Sequence, residues 1–211
     1  MNIVFDFGAV LFKWQPAELI ARSFPAEAAT DSAARLLAQR IFHHPDWQAF
    51  DSGLVVLDTV IAQTAKRLRL EPAAVRSLME PIGEQLAPIE ANVELLAQLR
   101  DRRQTHRDVR LYFLSNMPMP YARALERRHG FLQWFDGGIF SGDVKLGKPD
   151  PAIFNLLASR YTLEPVDTLF IDDMPVNVEA AAALGWQTIH CRQPNSLSQD
   201  VFKKIMPAAH I

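Results

Sequence analysis

The chain has 211 residues, 49% of them hydrophobic and 22% charged, with a formal net charge of -2. This is ordinary for a soluble globular chain holding one large domain, or a domain with a sizeable insertion. There is no broad basic field for nucleic acid and no apolar run long enough to span a bilayer. With Cys191 as its single cysteine, the chain has neither a disulfide framework nor a cysteine-rich zinc site.

Ile3-Val4-Phe5 is a short, partly β-branched apolar run at the start. No basic leader precedes it, so the chain reads as cytoplasmic. Such a run suits a strand buried on both faces of a parallel sheet, and it ends at Asp6 within FDFGAV. From Gln15 to about Leu86 the texture turns to Ala, Leu, Arg and Glu. Helices are predicted over AATDSAARLLAQRIF, with Ser32 or Asp31 near its start, and over VVLDTVIAQTAKRLRL. One or two short helices are predicted over EPAAVRSLMEPIGEQL, interrupted at Pro81. FHHPDWQAFDSG, residues 42–53, falls in a break between helices. It reads as a solvated loop that turns Trp47 and Phe50 inward and carries His43, His44, Asp46 and Asp51.

From Ile89 onward strands and helices alternate. NVELLAQLRDR is helical, and VRLYFLS is a strand ending at Ser115. PYARALERRHG is a helix closed by Gly130 as its C-cap, and Trp134 and Phe135 beyond it read as core. GGIFSGDV is a short strand or hairpin. PAIFNLLASRY is a helix opening on Pro151. DTLFIDD is a strand ending in two acids, NVEAAAALG a helix stopped by Gly185, and WQTIHC a last strand with Cys191 as a buried thiol near its end. Alternation of this kind implies an α/β fold with a Rossmann-like, doubly wound parallel sheet. The helical stretch interrupts it after the first strand. The expected division is a core of residues 1–14 and 88–211 with an inserted α-helical cap of residues 15–87.

In open α/β sheets ligands bind outside the carboxyl ends of the strands. Those ends supply Asp6, Ser115 with Asn116, and Asp172 with Asp173, while KLGKPDP brings Lys148 to a loop among them. Taken singly, an Asp after a strand is an ordinary turn or N-cap residue, and a lone lysine is a solvated one. Their joint placement on one rim is what suggests chemistry. Clustered carboxylates favour a hard divalent cation, Mg2+ above all. A cation, a lysine, a hydroxyl and helix N-terminal amides together make a site for a phosphoryl group. Asp6 could then attack phosphorus to form an aspartyl-phosphate, which water would hydrolyse.

Four ordered motifs, FDFGAVLF, FLSNMP, GKPDPAIF and FIDDMPVNVEAAAALG, resemble those of the haloacid dehalogenase-like (HAD) superfamily with a helical cap after the first strand. The resemblance covers essentially the whole chain, the cap only in helical character. It implies that Asp6 is nucleophile and metal ligand, and that Ser115 and Asn116 position phosphoryl oxygens. It further implies that Lys148 holds nucleophile and phosphate, and that Asp172 and Asp173 bind Mg2+, one directly and one through water. Asn177 would orient that loop, or simply open its helix.

The departure is Gly8, where most phosphatases of that superfamily carry an Asp as general acid and base. The backbone carbonyl, a metal ligand in the family, survives the change. Proton delivery from that position, worth roughly 10²- to 10⁴-fold, does not, unless a group of the cap or water supplies the proton instead. The form with Gly resembles a branch that includes bacterial phosphatases acting on alpha-D-glucose 1-phosphate, whose anomeric oxygen leaves more readily than a plain alkoxide. The implied activity is hydrolysis of a small phosphorylated metabolite. The alternatives are a 2-haloacid dehalogenase-type hydrolase, which attacks carbon without a metal, and a weakened binding or regulatory protein on the same scaffold.

Overall fold

Five strands account for the sheet: β1 (Asn2–Phe5), β2 (Arg110–Ser115), β3 (Gly137–Phe140), β4 (Thr168–Asp172) and β5 (Gln187–His190). In this computed structural model, which describes residues 1–105, 109–193 and 196–205, every pairing is parallel and the order is β3-β2-β1-β4-β5. The expected doubly wound α/β architecture is therefore present. β1 lies at the centre, with Asn2 opposite Arg110 on one side and Thr168 on the other. Successive residues of a strand point to opposite faces. Ile3 and Phe5 enter one hydrophobic cluster with Leu111 and Ile171, while Val4 enters another with Tyr112 and Phe170. All three β1 residues are fully buried, which explains the unbroken apolar run.

Between β1 and the next long helix stand six helices: α1 (Pro16–Ser23), α2 (Asp31–Phe42), α3 (Pro45–Asp51), α4 (Leu57–Leu68), α5 (Pro72–Met79) and α6 (Ile82–Gln85). α2 starts as expected, with Thr30 as its cap accepting a hydrogen bond from the Ala33 amide. The stretch 42–53 is not the loop expected of it. Pro45 sits in the first turn of α3, and the His44 side chain accepts from the Asp46 amide, so two helix-start signals act together. Trp47 and Phe50 do turn inward, and both are buried.

The rest comprises α7 (Glu90–Thr105), α8 (Met119–Arg128), α9 (Ser141–Val144), α10 (Pro151–Tyr161), α11 (Pro175–Ala183) and α12 (Leu197–Ile205). GGIFSGDV makes no hairpin: β3 runs parallel to β2 and leads directly into α9. Nor does Gly130 close α8, whose cap is His129. Gly130 instead opens a single 3-10 turn through Trp134. Gly185, with φ +84°, does stop α11. Trp134 and Phe135 pack against the larger core cluster, and Cys191 is buried, its thiol pushed up to about 11 chiefly by that burial. Among the described residues no helix is long and apolar enough to cross a membrane.

Candidate active site

The strand order reverses direction around β1 and β4, and such a switch opens a crevice at the carboxyl ends of the strands. Asp6 leaves β1 there, its amide donating to the Ile171 carbonyl of β4 at 2.9 Å. The chain then turns sharply. The amides of Leu11 and Phe12 both donate to the Phe7 carbonyl, at 2.9 and 2.8 Å. Ala9 takes a left-handed φ of 53°, and the buried Asn92 amide braces the turn by donating to the Val10 carbonyl at 2.6 Å. Gly8 is not left-handed, and a Cβ built on it would meet only the Trp14 Cβ at 3.9 Å. The backbone thus has no need of glycine there.

Lys148 stands between two acids. Its Nζ lies 2.8 Å from Asp6 Oδ1 and 2.5 Å from Asp172 Oδ2. The Asn116 side chain fixes the Lys148 main chain at two points, accepting from its amide and donating to its carbonyl, both at 2.8 Å. Asn116, expected to face phosphoryl oxygens, also lines the cavity. Ser115, buried at the end of β2, shares the cavity with Asp6 and Lys148.

Asp172 is fully buried. Its Oδ1 accepts from the Met174 amide at 2.8 Å and from Asn177 Nδ2 at 3.0 Å, and its Oδ2 accepts from Lys148 and, at 3.2 Å, from Asn177. Asn177 is therefore more than a helix-start residue: it braces this carboxylate. Asp173 differs. It is half-buried and lines the cavity, and its main-chain carbonyl is 2.9 Å from His190 Nε2. Arg192, which can only donate, gives a hydrogen bond to His190 Nδ1, so Nε2 carries the proton and donates to Asp173. Nothing in WQTIHC pointed to that support, because it depends on β5 lying beside β4.

One oxygen from each of Asp6, Asp172 and Asp173 lies within 4.8 Å of the others. Three carboxylates thus face a single ammonium. Burial pushes Asp6 up to about 7; Lys148 opposes the rise, and Asp172 and Asp173 add to it. Burial and the Asp172 charge push Asp173 up to about 6. For Lys148, burial pulls the ammonium down, but Asp172 and Asp6 together outweigh it and leave it above the ordinary lysine value. A compact set of oxygen donors carrying excess negative charge fits a hard divalent cation. Asp173 and Asp6 have access to the cavity, whereas Asp172 already accepts from protein donors on both oxygens.

The cavity measures about 530 Å3. The strand ends provide one part of its lining, and the helices before α7 add Phe42, Trp47, Asp51 and Ile82. The end of α3 is fastened to the rim. Ser141 Oγ donates to the Asp51 carbonyl at 2.6 Å and accepts from the Met117 amide at 2.8 Å. Gly53, at φ +66°, lies so close to the Gly142 carbonyl that a Cβ there would collide with it.

A family model described as haloacid dehalogenase-like hydrolase matches residues 3–185. The sesquiterpene phosphatase astK of Aspergillus oryzae is 25% identical over 187 residues, 89% of this chain and 87% of that protein. The phosphorylated carbohydrates phosphatase of Thermotoga maritima is 25% identical over 188 residues, 89% of this chain and 83% of its own. A HAD family enzyme of Bacteroides thetaiotaomicron, solved in complex with magnesium and inorganic phosphate, superposes with a TM-score of 0.68 at 19% identity, covering 89% of this chain and 92% of that one. At that identity the likeness is one of fold.

Proposed function

Because the chain belongs to the haloacid dehalogenase-like hydrolases, we propose that it is a Mg2+-dependent phosphomonoester hydrolase working through an aspartyl-phosphate on Asp6. The observation that carries the reading is the Asp6 carboxylate, held at 2.8 Å by Lys148 and open to the same cavity as Ser115 and Asp173. Asp6 Oδ attacks phosphorus. Lys148 keeps the nucleophile oriented and neutralises charge on the phosphoryl oxygens. The Ser115 hydroxyl donates to one of those oxygens. Asn116 acts by holding Lys148 in place.

Mg2+ would be held by Asp6, the Gly8 carbonyl and Asp173, and when bound would neutralise charge on the phosphoryl group. We assign Asp173 as the direct carboxylate ligand of the final pair and Asp172 as its neighbour through water, since Asp172 already accepts several protein hydrogen bonds. Residues 15–87 act as the cap that encloses the substrate and excludes water. The two phosphatase relatives support a small phosphorylated metabolite as substrate. A sugar phosphate, glucose 1-phosphate included, is the class we favour. The Thermotoga relative supports it, and aromatic side chains such as Trp47 line the cavity, where they can stack on the C–H face of a sugar. Attack at carbon, as in a dehalogenase, leaves three convergent carboxylates without a task, and a purely regulatory role leaves the Asp6–Lys148 pair without one.

Phosphate release from 4-nitrophenyl phosphate, with Mg2+ and with EDTA, tests the reading. Asp6→Asn should fold normally and lower turnover to that of buffer. Turnover by Asp6→Asn equal to wild type would sink the nucleophile assignment. Chloride release from 2-chloropropionate without Mg2+ would move the chemistry to carbon.

A further inference from the structure

We propose that Asp51, carried by the cap, is the proton donor and acceptor of the reaction, the task for which position 8 has no side chain. The inference rests on the phosphatase reading above. Asp51 shares the cavity with Asp6, Ser115 and Lys148, and it is the one carboxylate that α1 to α6 contribute to that lining among the described residues. Its place is set by the catalytic rim itself. Ser141 Oγ joins the Asp51 carbonyl to the amide of Met117, two residues beyond Ser115. The close approach of Gly53 to Gly142 makes a second attachment.

The carboxyl is suited to the work. Burial holds it well above the ordinary carboxylate range; a hydrogen bond with the Trp47 side chain opposes the rise, and the Asp6 charge adds to it. A carboxyl that holds its proton more tightly than usual can donate it to a leaving oxygen. The other groups on that side fit less well. The Tyr121 hydroxyl already donates to the Met79 carbonyl at 2.5 Å, and burial pushes it far up. His43 and Lys145 are exposed at the mouth.

In the first step Asp6 Oδ bonds to phosphorus, the bond from phosphorus to the leaving oxygen breaks, and Asp51 gives its proton to that oxygen, so a neutral alcohol departs. In the second step water attacks the aspartyl-phosphate, its proton passes to the Asp51 carboxylate, and the Asp6–phosphorus bond breaks. The protein returns to its starting state with phosphate released.

The test compares two esters of similar size, 4-nitrophenyl phosphate and 4-nitrobenzyl phosphate, with Mg2+ and enzyme in excess over substrate. The first leaves as a stable phenolate and needs no acid; the second leaves as an alkoxide and does. Asp51→Asn should slow release of 4-nitrobenzyl alcohol by roughly 10²- to 10⁴-fold while leaving nitrophenolate release nearly unchanged. Equal loss on both esters, with a normal melting transition, would make Asp51 a structural residue and overturn the proposal. So would a wild type that cleaves only the nitrophenyl ester. If Asp51→Asn does not melt cooperatively, Asp51→Glu decides: a displaced carboxyl should lower the nitrobenzyl-to-nitrophenyl ratio, and an unchanged ratio overturns the idea. A wild type that releases neither product refutes the phosphatase reading, and this inference with it.

Discussion

The Asp51 carboxyl is held differently in the folded and unfolded chains, and that difference has a measurable sign. An unfolded chain gives up such a proton near pH 4, whereas the folded protein keeps it to higher pH. Between those points the folded state binds more protons. The contribution of Asp51 to stability is therefore complete below about pH 4 and is lost as the pH rises through the folded value. Asp51→Asn has no proton to lose, so its Tm relative to wild type should climb from pH 4 to pH 7, by about 2–4 °C for each kcal/mol in a chain of this size. A Tm difference that stays flat or falls over that range would mean the carboxyl is ionised in the folded state. Asp6, Ser115 and Asp172 were legible in the sequence because each ends or follows an apolar run, and Lys148 because it stands just before the prolines that lead into α10; the rim position comes with that placement. The setting of Asp51 was not legible, because it depends on Ser141, which lies 90 positions further along the chain.

At the scale of elements, α3 shows where periodicity stops informing. It has seven residues, too few for a 3.6-residue repeat to stand out from chance. The local start signals were nonetheless present in His44 and Pro45, and Trp47 and Phe50 already had helical spacing. The junction after α3 is where this helix can be tested. Gly53→Ala puts a Cβ into a left-handed residue, at a cost of roughly 1–2 kcal/mol, and drives it against the Gly142 carbonyl. The variant should lower Tm and lower turnover of the alkyl ester together, since Asp51 loses its seat. Gly8→Ala has room for its Cβ and should melt like wild type. If Gly53→Ala melts like wild type as well, the close approach of Gly53 to Gly142 is not rigid.

For the whole molecule, the buried excess of carboxylate charge should make stability responsive to divalent cations. A cation that binds only the folded chain adds about 2.7 kcal/mol at a hundredfold excess over its Kd. Mg2+ should therefore raise Tm, and Asp173→Asn should remove most of that rise while leaving the metal-free Tm no lower. An equal rise in variant and wild type would place the cation elsewhere. The doubly wound sheet was readable because β and α textures alternate after Ile89; the side-by-side placement of β4 and β5 that brings His190 to Asp173 was not, because no local pattern encodes it. β1 has one further consequence. It is the first of the five strands in chain order, yet its neighbours begin at Arg110 and Thr168. Until β2 is made, an apolar strand waits without either partner, exposed to non-native pairing. A nascent chain stopped before β4 carries Asp6 but has an open sheet edge where Asp172 should stand, so Asp6 is made long before the strand that completes its surroundings.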